Sequence, residues 1–113
     1  MNLLERMFQA IDSNRWAALP EFFAEQAVYE RPGYAPIEGM ERILRFYTSE
    51  RIIREGRHHI EGCVLTREQG SCWGYFDGIS RDGRILHERF SDVYAIGDDK
   101  IVHRRTHFFR PAI

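Results

Sequence analysis

Residues 84–96, RILHERFSDVYAI, form the longest strand-like run of the chain and set an acid among residues suited to an apolar interior. On a strand alternate side chains share a face, so Leu86, Glu88, Phe90, Asp92 and Tyr94 point one way and His87, Arg89, Ser91 and Val93 the other. The first set holds the bulky apolar side chains and reads as the inward face. Asp92 is then an interior carboxylate, which needs a partner or a task.

Working outward, the pattern from Gly56 onward has the period of strands. Residues 57–67, 71–81, 84–96 and 100–109 are strand candidates, separated by Gln69-Gly70, Asp82-Gly83 and Gly97-Asp98-Asp99. Asp82-Gly83 reads as a two-residue hairpin connection between alternating runs. Before Gly56 the period is helical. Residues 2–12 place Leu3, Leu4, Met7, Phe8 and Ile11 on one stripe, and Asp12-Ser13-Asn14 stops that helix. Trp16, Leu19, Phe22 and Phe23 suit a second helix, in which Pro20 forces a late start or a kink. Residues 27–31, AVYER, suit a short strand ended by Pro32-Gly33, and residues 39–53 a third helix with Met40, Ile43, Leu44, Phe46 and Tyr47 inward. The expected fold is one α+β domain over residues 1–113, three N-terminal helices packed on a strongly curved antiparallel sheet with one internal pocket.

Composition narrows the function. The 113 residues are 43% hydrophobic and 29% charged, as in a globular domain with one core. A net charge of -1, with 16 basic residues interleaved among 17 acids, argues against a nucleic-acid surface. No apolar run approaches the roughly 20 residues of a membrane span. The first residues, MNLLERMFQAID, carry acids where a secretory leader is basic and then apolar, so a cytoplasmic location is expected. Cys63 and Cys72 flank a turn and can share a face, and in that compartment they are expected reduced.

The runs DSNRWAALPEFFAEQAVYERPGYAPIEGMERILRFY and FSDVYAIGDDKIVHRRTHFF resemble the cone-shaped superfamily of nuclear transport factor 2, steroid delta-isomerase and the SnoaL-like polyketide cyclases. The resemblance covers nearly the whole chain and speaks for the fold more than for a reaction, because that cone hosts isomerases, dehydratases, cyclases, epoxide hydrolases and binding domains. It implies that Asp92 stands where the isomerases keep an oxyanion-binding acid, and that Phe46 and Tyr47 stand in the pocket wall. The isomerases' general base is replaced by Arg31, and their oxyanion tyrosine falls near Arg6. The last-strand aspartate of the epoxide hydrolases is Thr106. Neither steroid isomerisation nor epoxide hydrolysis by those mechanisms is therefore expected.

Strand alternation supplies the company of Asp92: His58, Ile60 and Val64; Trp73, Tyr75, Asp77 and Ile79; Arg104, Thr106 and Phe108; and Tyr29 and Arg31 from the short strand. Asp92 is either a buried partner of Arg31 or Arg104, or the principal acid/base, with His58 and Tyr75 assisting. Tyr29, Arg31, Phe46, Tyr47, Trp73, Asp77, Phe90, Arg104, Thr106 and Phe108 are the expected substrate-binding residues. Arg31, in place of an acid, suits an anionic or carbonyl-bearing ligand. No metal is expected: His58 and His59 point to opposite faces, and His103 and His107 lie about 13 Å apart along one strand.

The opposite face reads His59, Glu61, Cys63, Phe76, His87, Arg89, Ser91, His103, Arg105 and His107, and the resemblance implies a homodimer through it. The function expected is cofactor-free acid/base catalysis of the isomerase, cyclase or dehydratase kind on a small hydrophobic carbonyl or polyketide-like compound. The alternative is a non-catalytic binding or dimerisation module.

Overall fold

The structure is a computed structural model that describes residues 1–111. Helix α1 (Leu3–Asp12) begins at Asn2, whose side chain accepts from the Glu5 backbone while the Glu5 carboxylate accepts from the Asn2 N–H, both at 3.0 Å. Pro20 lies within a short 3₁₀ segment (Trp16–Glu21) rather than an α-helix. Strand β1 (Phe23–Glu30) follows, then β2 (Ile37–Glu38), α2 (Met40–Arg45) continuing as a π-turn (Phe46–Glu50), β3 (Ile53–Leu65), β4 (Gln69–Ser80), β5 (Ile85–Gly97) and β6 (Lys100–Phe108). The third helix thus ends earlier than expected, and β3 begins earlier.

The sheet has six strands in the order β2-β1-β6-β5-β4-β3. It is mixed, not antiparallel throughout, because β1 runs parallel to β6. It is open at both edges and not strongly curled, which corrects the expected cone. Among the described residues no helix is long and apolar enough to cross a membrane.

All five residues assigned to the inner face of β5 are buried. On β4 the assignment is reversed: Trp73, Tyr75, Asp77 and Ile79 lie on the outer face, while Cys72, Gly74, Phe76 and Ser80 are buried on the inner. The hairpin loop is the cause. A two-residue Asp82-Gly83 connection would set Trp73 opposite Asp92. The chain instead pairs Ser80 with Arg84 around the three residues Arg81 to Gly83, with Gly83 at φ +88°, and Cys72 comes opposite Asp92. Three-residue hairpin loops take glycine in this left-handed position, and a one-residue slip turns every side chain over.

Large then meets small across the sheet, Phe90 opposite Gly74 and Leu86 opposite Gly78. Gly78 also pairs with Gly56, and a Cβ on Gly56 would come within 2.1 Å of the Phe76 ring, so the two glycines form the lane in which that ring lies.

On β3 a bulge between Ile60 and Gly62 changes parity. His58 and Ile60 face inward as expected, but Val64 is exposed and Cys63 packs against the core. Cys63 and Phe76 therefore leave the outer-face set. Cys63 and Cys72 stand in register with Cα atoms 4.2 Å apart and are joined as a disulfide, which corrects the expectation of two reduced thiols.

Candidate active site

Between α1, the α2 π-turn and the inner face of the sheet lies a cavity of about 70 Å³. Ten of the expected residues line it: Tyr29, Arg31, Phe46, Tyr47, His58, Phe90, Asp92, Arg104, Thr106 and Phe108. Trp73, Tyr75 and Asp77 do not, because the register of β4 turns them outward. Ile11, Arg51, Ile52, Ile53 and Phe76 complete the wall and lie outside the expected set.

Asp92 is fully buried and its partner is Arg104. Its Oδ2 accepts from Arg104 Nε at 2.9 Å and from the Tyr94 hydroxyl at 2.7 Å, while Oδ1 has no hydrogen-bond partner among the described residues. The pair sits on neighbouring strands, where Tyr94 is in register with Arg104 and Asp92 with Thr106. Burial opposes the charge on Arg104, yet Asp92 and the surrounding tyrosine oxygens hold its pKa well above the ordinary arginine value. Burial, reinforced by Asp92, pushes the Tyr94 phenol up, and burial also pushes Tyr29 up to about 12. Both phenols therefore stay protonated donors.

Arg104 passes its order on to the cavity wall. Its Nη1 donates to the Tyr47 hydroxyl at 2.8 Å, and its guanidinium lies 4.4 Å from the Tyr29 ring centroid. An oxygen that accepts from a cation keeps its own hydrogen free to donate, and Tyr47 has no other side-chain hydrogen bond among the described residues.

The second constellation is an acid and an imidazole that the sequence reading did not connect. Asp12 ends α1, and its carboxylate bridges two donors of His58: the backbone N–H to Oδ2 at 2.8 Å and Nδ1 to Oδ1 at 2.6 Å. A carboxylate accepts, so Nδ1 carries the hydrogen and Nε2 is left as the lone-pair nitrogen of the neutral ring. Nε2 has no protein partner among the described residues, and the ring belongs to the cavity wall. Phe8 and Phe76 hold it at centroid distances of 4.6 and 4.8 Å. A carboxylate in the last turn of a helix faces the negative end of the dipole, so Asp12 is badly placed for the stability of α1 and well placed to orient His58. That misplacement is the signal the sequence offers, beyond the role of Asp12 in stopping the helix.

Among the described residues no group of three or more His, Cys, Asp or Glu side chains could hold a metal ion.

Residues 4–104 match the family model of the SnoaL-like domain. No curated protein is similar to the chain by sequence. Solved structures share its fold. A nuclear transport factor 2-like protein of unknown function from Exiguobacterium sp. 255-15 superimposes with a TM-score of 0.83 at 18% identity, over 97% of this chain and 100% of that one. A SnoaL-like polyketide cyclase, described as putative, from Jannaschia sp. CCS1 gives 0.80 at 10%, over 95% and 83% of the two chains. An LEH-like epoxide hydrolase from M. tuberculosis gives 0.81 at 15%, over 94% and 79%.

Proposed function

This chain belongs to the SnoaL-like domain family, within the nuclear transport factor 2-like superfamily, and on that premise we propose that it is a cofactor-free general acid/base enzyme that enolises a small carbonyl compound. The observation that carries the reading is the imidazole of the Asp12–His58 pair in the wall of a cavity that is also lined by a hydroxyl backed by a buried arginine.

In this reading His58 Nε2 removes a proton from carbon next to the carbonyl, and Asp12 stabilises the imidazolium that forms. Negative charge moves to the carbonyl oxygen, where Tyr47 donates its hydrogen with Arg104 behind it. Return of the proton from His58 to a different atom of the enolate completes an isomerisation; attack by the enolate carbon on a second carbonyl, whose oxygen becomes an alkoxide and takes the proton back from His58, would complete a cyclisation. Asp92 is then a positioning residue that holds Arg104, and Tyr75 leaves the list. The cavity is well below the roughly 300–1,000 Å³ that encloses drug-sized ligands, so the substrate is small; most of a polyketide-length chain would lie outside.

The test is exchange of carbon-bound hydrogen in heavy water, followed by proton NMR over a panel of small 1,3-dicarbonyl and enone compounds. Exchange faster than in matched buffer, lost in His58→Gln, supports catalysis. Equal rates for the parent and His58→Gln across the panel overturn it and leave the binding module.

We also propose that the protein is a homodimer through the outer sheet face. Without Cys63 and Phe76 this now rests on Trp73 and Val93, which are 41% and 39% exposed. Sedimentation as a monomer at micromolar concentration would refute it.

A further inference from the structure

The cavity wall carries three guanidinium groups, of Arg31, Arg51 and Arg104, against one carboxylate, Asp92. Arg104 takes that carboxylate. Among the described residues Arg31 and Arg51 form no ion pair with any other. Arg51 is 6% exposed. Burial lowers its pKa, and Asp12, which supports it through space, is already engaged by His58. Arg31 lies between Phe46 and Tyr34, at 4.1 and 4.3 Å from their centroids, and its buried Nε has no hydrogen-bond partner among the described residues.

A buried cation without an ion-pair partner is costly, and the buried Arg51 beside the half-buried Arg31 in one wall is explained if a ligand supplies the missing charge. Several of the aromatic faces that could receive a cationic ligand are already covered by arginines. Arg51 lies over Trp16 and Tyr47 at 5.1 and 5.5 Å, and Arg104 over Tyr29. Beyond His58, Thr106 and the paired Asp92, the remaining lining is apolar, chiefly Ile53, Phe76 and Phe90.

We propose that the cavity selects a small organic carboxylate, its oxygens held by Arg51 and Arg31 and its hydrocarbon part packed against Ile53, Phe76 and Phe90. The fork of donors on a guanidinium matches a carboxylate, and neither a neutral carbonyl nor an amine would satisfy both arginines. The proposal rests on the cavity being the ligand site, as in the reading above, and not on turnover.

The experiment is an NMR titration of the isotope-labelled full chain with isobutyrate, with its neutral isostere isobutyramide and with the cation isobutylammonium. Isobutyrate is expected to bind at least about tenfold more tightly than the amide and to shift the Nε–H resonances of Arg31 and Arg51. The cation is expected not to bind. Arg31→Gln and Arg51→Gln should each reduce isobutyrate affinity by about tenfold or more and leave the amide unchanged. Arg51→Lys, which keeps the charge, should retain part of the preference; should Arg51→Gln not fold, Arg31→Gln and the isosteres still decide. Equal affinity for acid and amide, preference for the cation, no binding of isobutyrate at about 100 mM, or unchanged affinity in both glutamine variants overturns the proposal. Equal affinity for inorganic phosphate overturns its organic part. Failure of the hydrogen-exchange assay with carboxylate selectivity intact would remove the catalytic reading alone, and the reverse result would remove only this one.

Discussion

His58 and His59 are neighbours in the chain, each beside an aspartate, on opposite faces of one sheet. On the inner face His58 meets Asp12 at 2.6 Å with side chains 13% and 18% exposed. On the outer face His59 meets Asp77 at 3.4 Å with side chains 32% and 49% exposed, and Asp77 also contacts His87. Two buried phenyl rings fix the inner imidazole, whereas the outer one stacks on the partly exposed Tyr75 and shares its acid with a second histidine. The arginine pairs repeat the contrast: Arg104–Asp92 and Arg89–Glu61 have nearly equal lengths, 2.9 and 2.8 Å, yet the first is buried and the second open to water. Residue types and distances alone do not rank such pairs. Exclusion of water does, because it removes the competing solvent partner and raises the cost of breaking the contact.

The contrast can be broken most forcefully at the histidines. His58→Gln is expected to lower exchange activity by about two to four orders of magnitude, and Asp12→Asn by a somewhat smaller factor, because the imidazole loses its orienting acceptor. His59→Gln should stay within about twofold of the parent. A fall at His59 as large as that at His58 would move the chemistry to the outer face.

Stability separates the arginine pairs. Asp92→Asn leaves Arg104 uncompensated in the interior and should cost roughly 3–5 kcal/mol, a large drop in Tm. Glu61→Gln should leave Tm unchanged within error, since its partner is solvent-exposed. An Asp92→Asn protein as stable as the parent would show that the buried pair is not needed to hold Arg104.

A finer comparison sets Tyr47 against Tyr75. Removing the hydroxyl in Tyr47→Phe should reduce exchange by about tenfold to a hundredfold while the protein remains folded. Tyr75→Phe, altered outside the cavity, should leave the rate unchanged.

The smallest effect concerns acid stability. Hydrogen bonds from Arg105, and then from His103, hold the Glu30 carboxyl below its ordinary value of 4.5. A carboxyl with a depressed folded-state pKa contributes stability above the unfolded value and loses it as pH falls through the folded one. Glu30→Gln should therefore flatten the stability curve slightly below pH 4.5 and leave its neutral limb in place. An unchanged acid limb would show that these surface contacts do not hold in solution.

Residues 84–96 carried their own orientation: alternation of large apolar and polar side chains along a single strand names the inner face, and every inner residue assigned there is buried. The same local physics marked the first helix, the four long strands, and Tyr29, Arg104, Thr106 and His58 as interior. Register is a different quantity, because it depends on how many residues a turn consumes. The chain looped at Arg81 to Gly83 rather than at Asp82-Gly83 alone, and Trp73, Tyr75 and Asp77 changed faces with it. A bulge of one residue did the same to Cys63 and Val64. Asp12 and His58 stand 46 positions apart, and no periodicity links the end of a helix to the third strand; their meeting follows from α1 packing on β3. The sequence alone determined the elements and the inward set of its most regular strand, since those follow from side-chain preference over short distances. Only the tertiary structure decided which acid orients the histidine and which arginine takes Asp92, because those choices arise where separate elements close on one another and water is driven out.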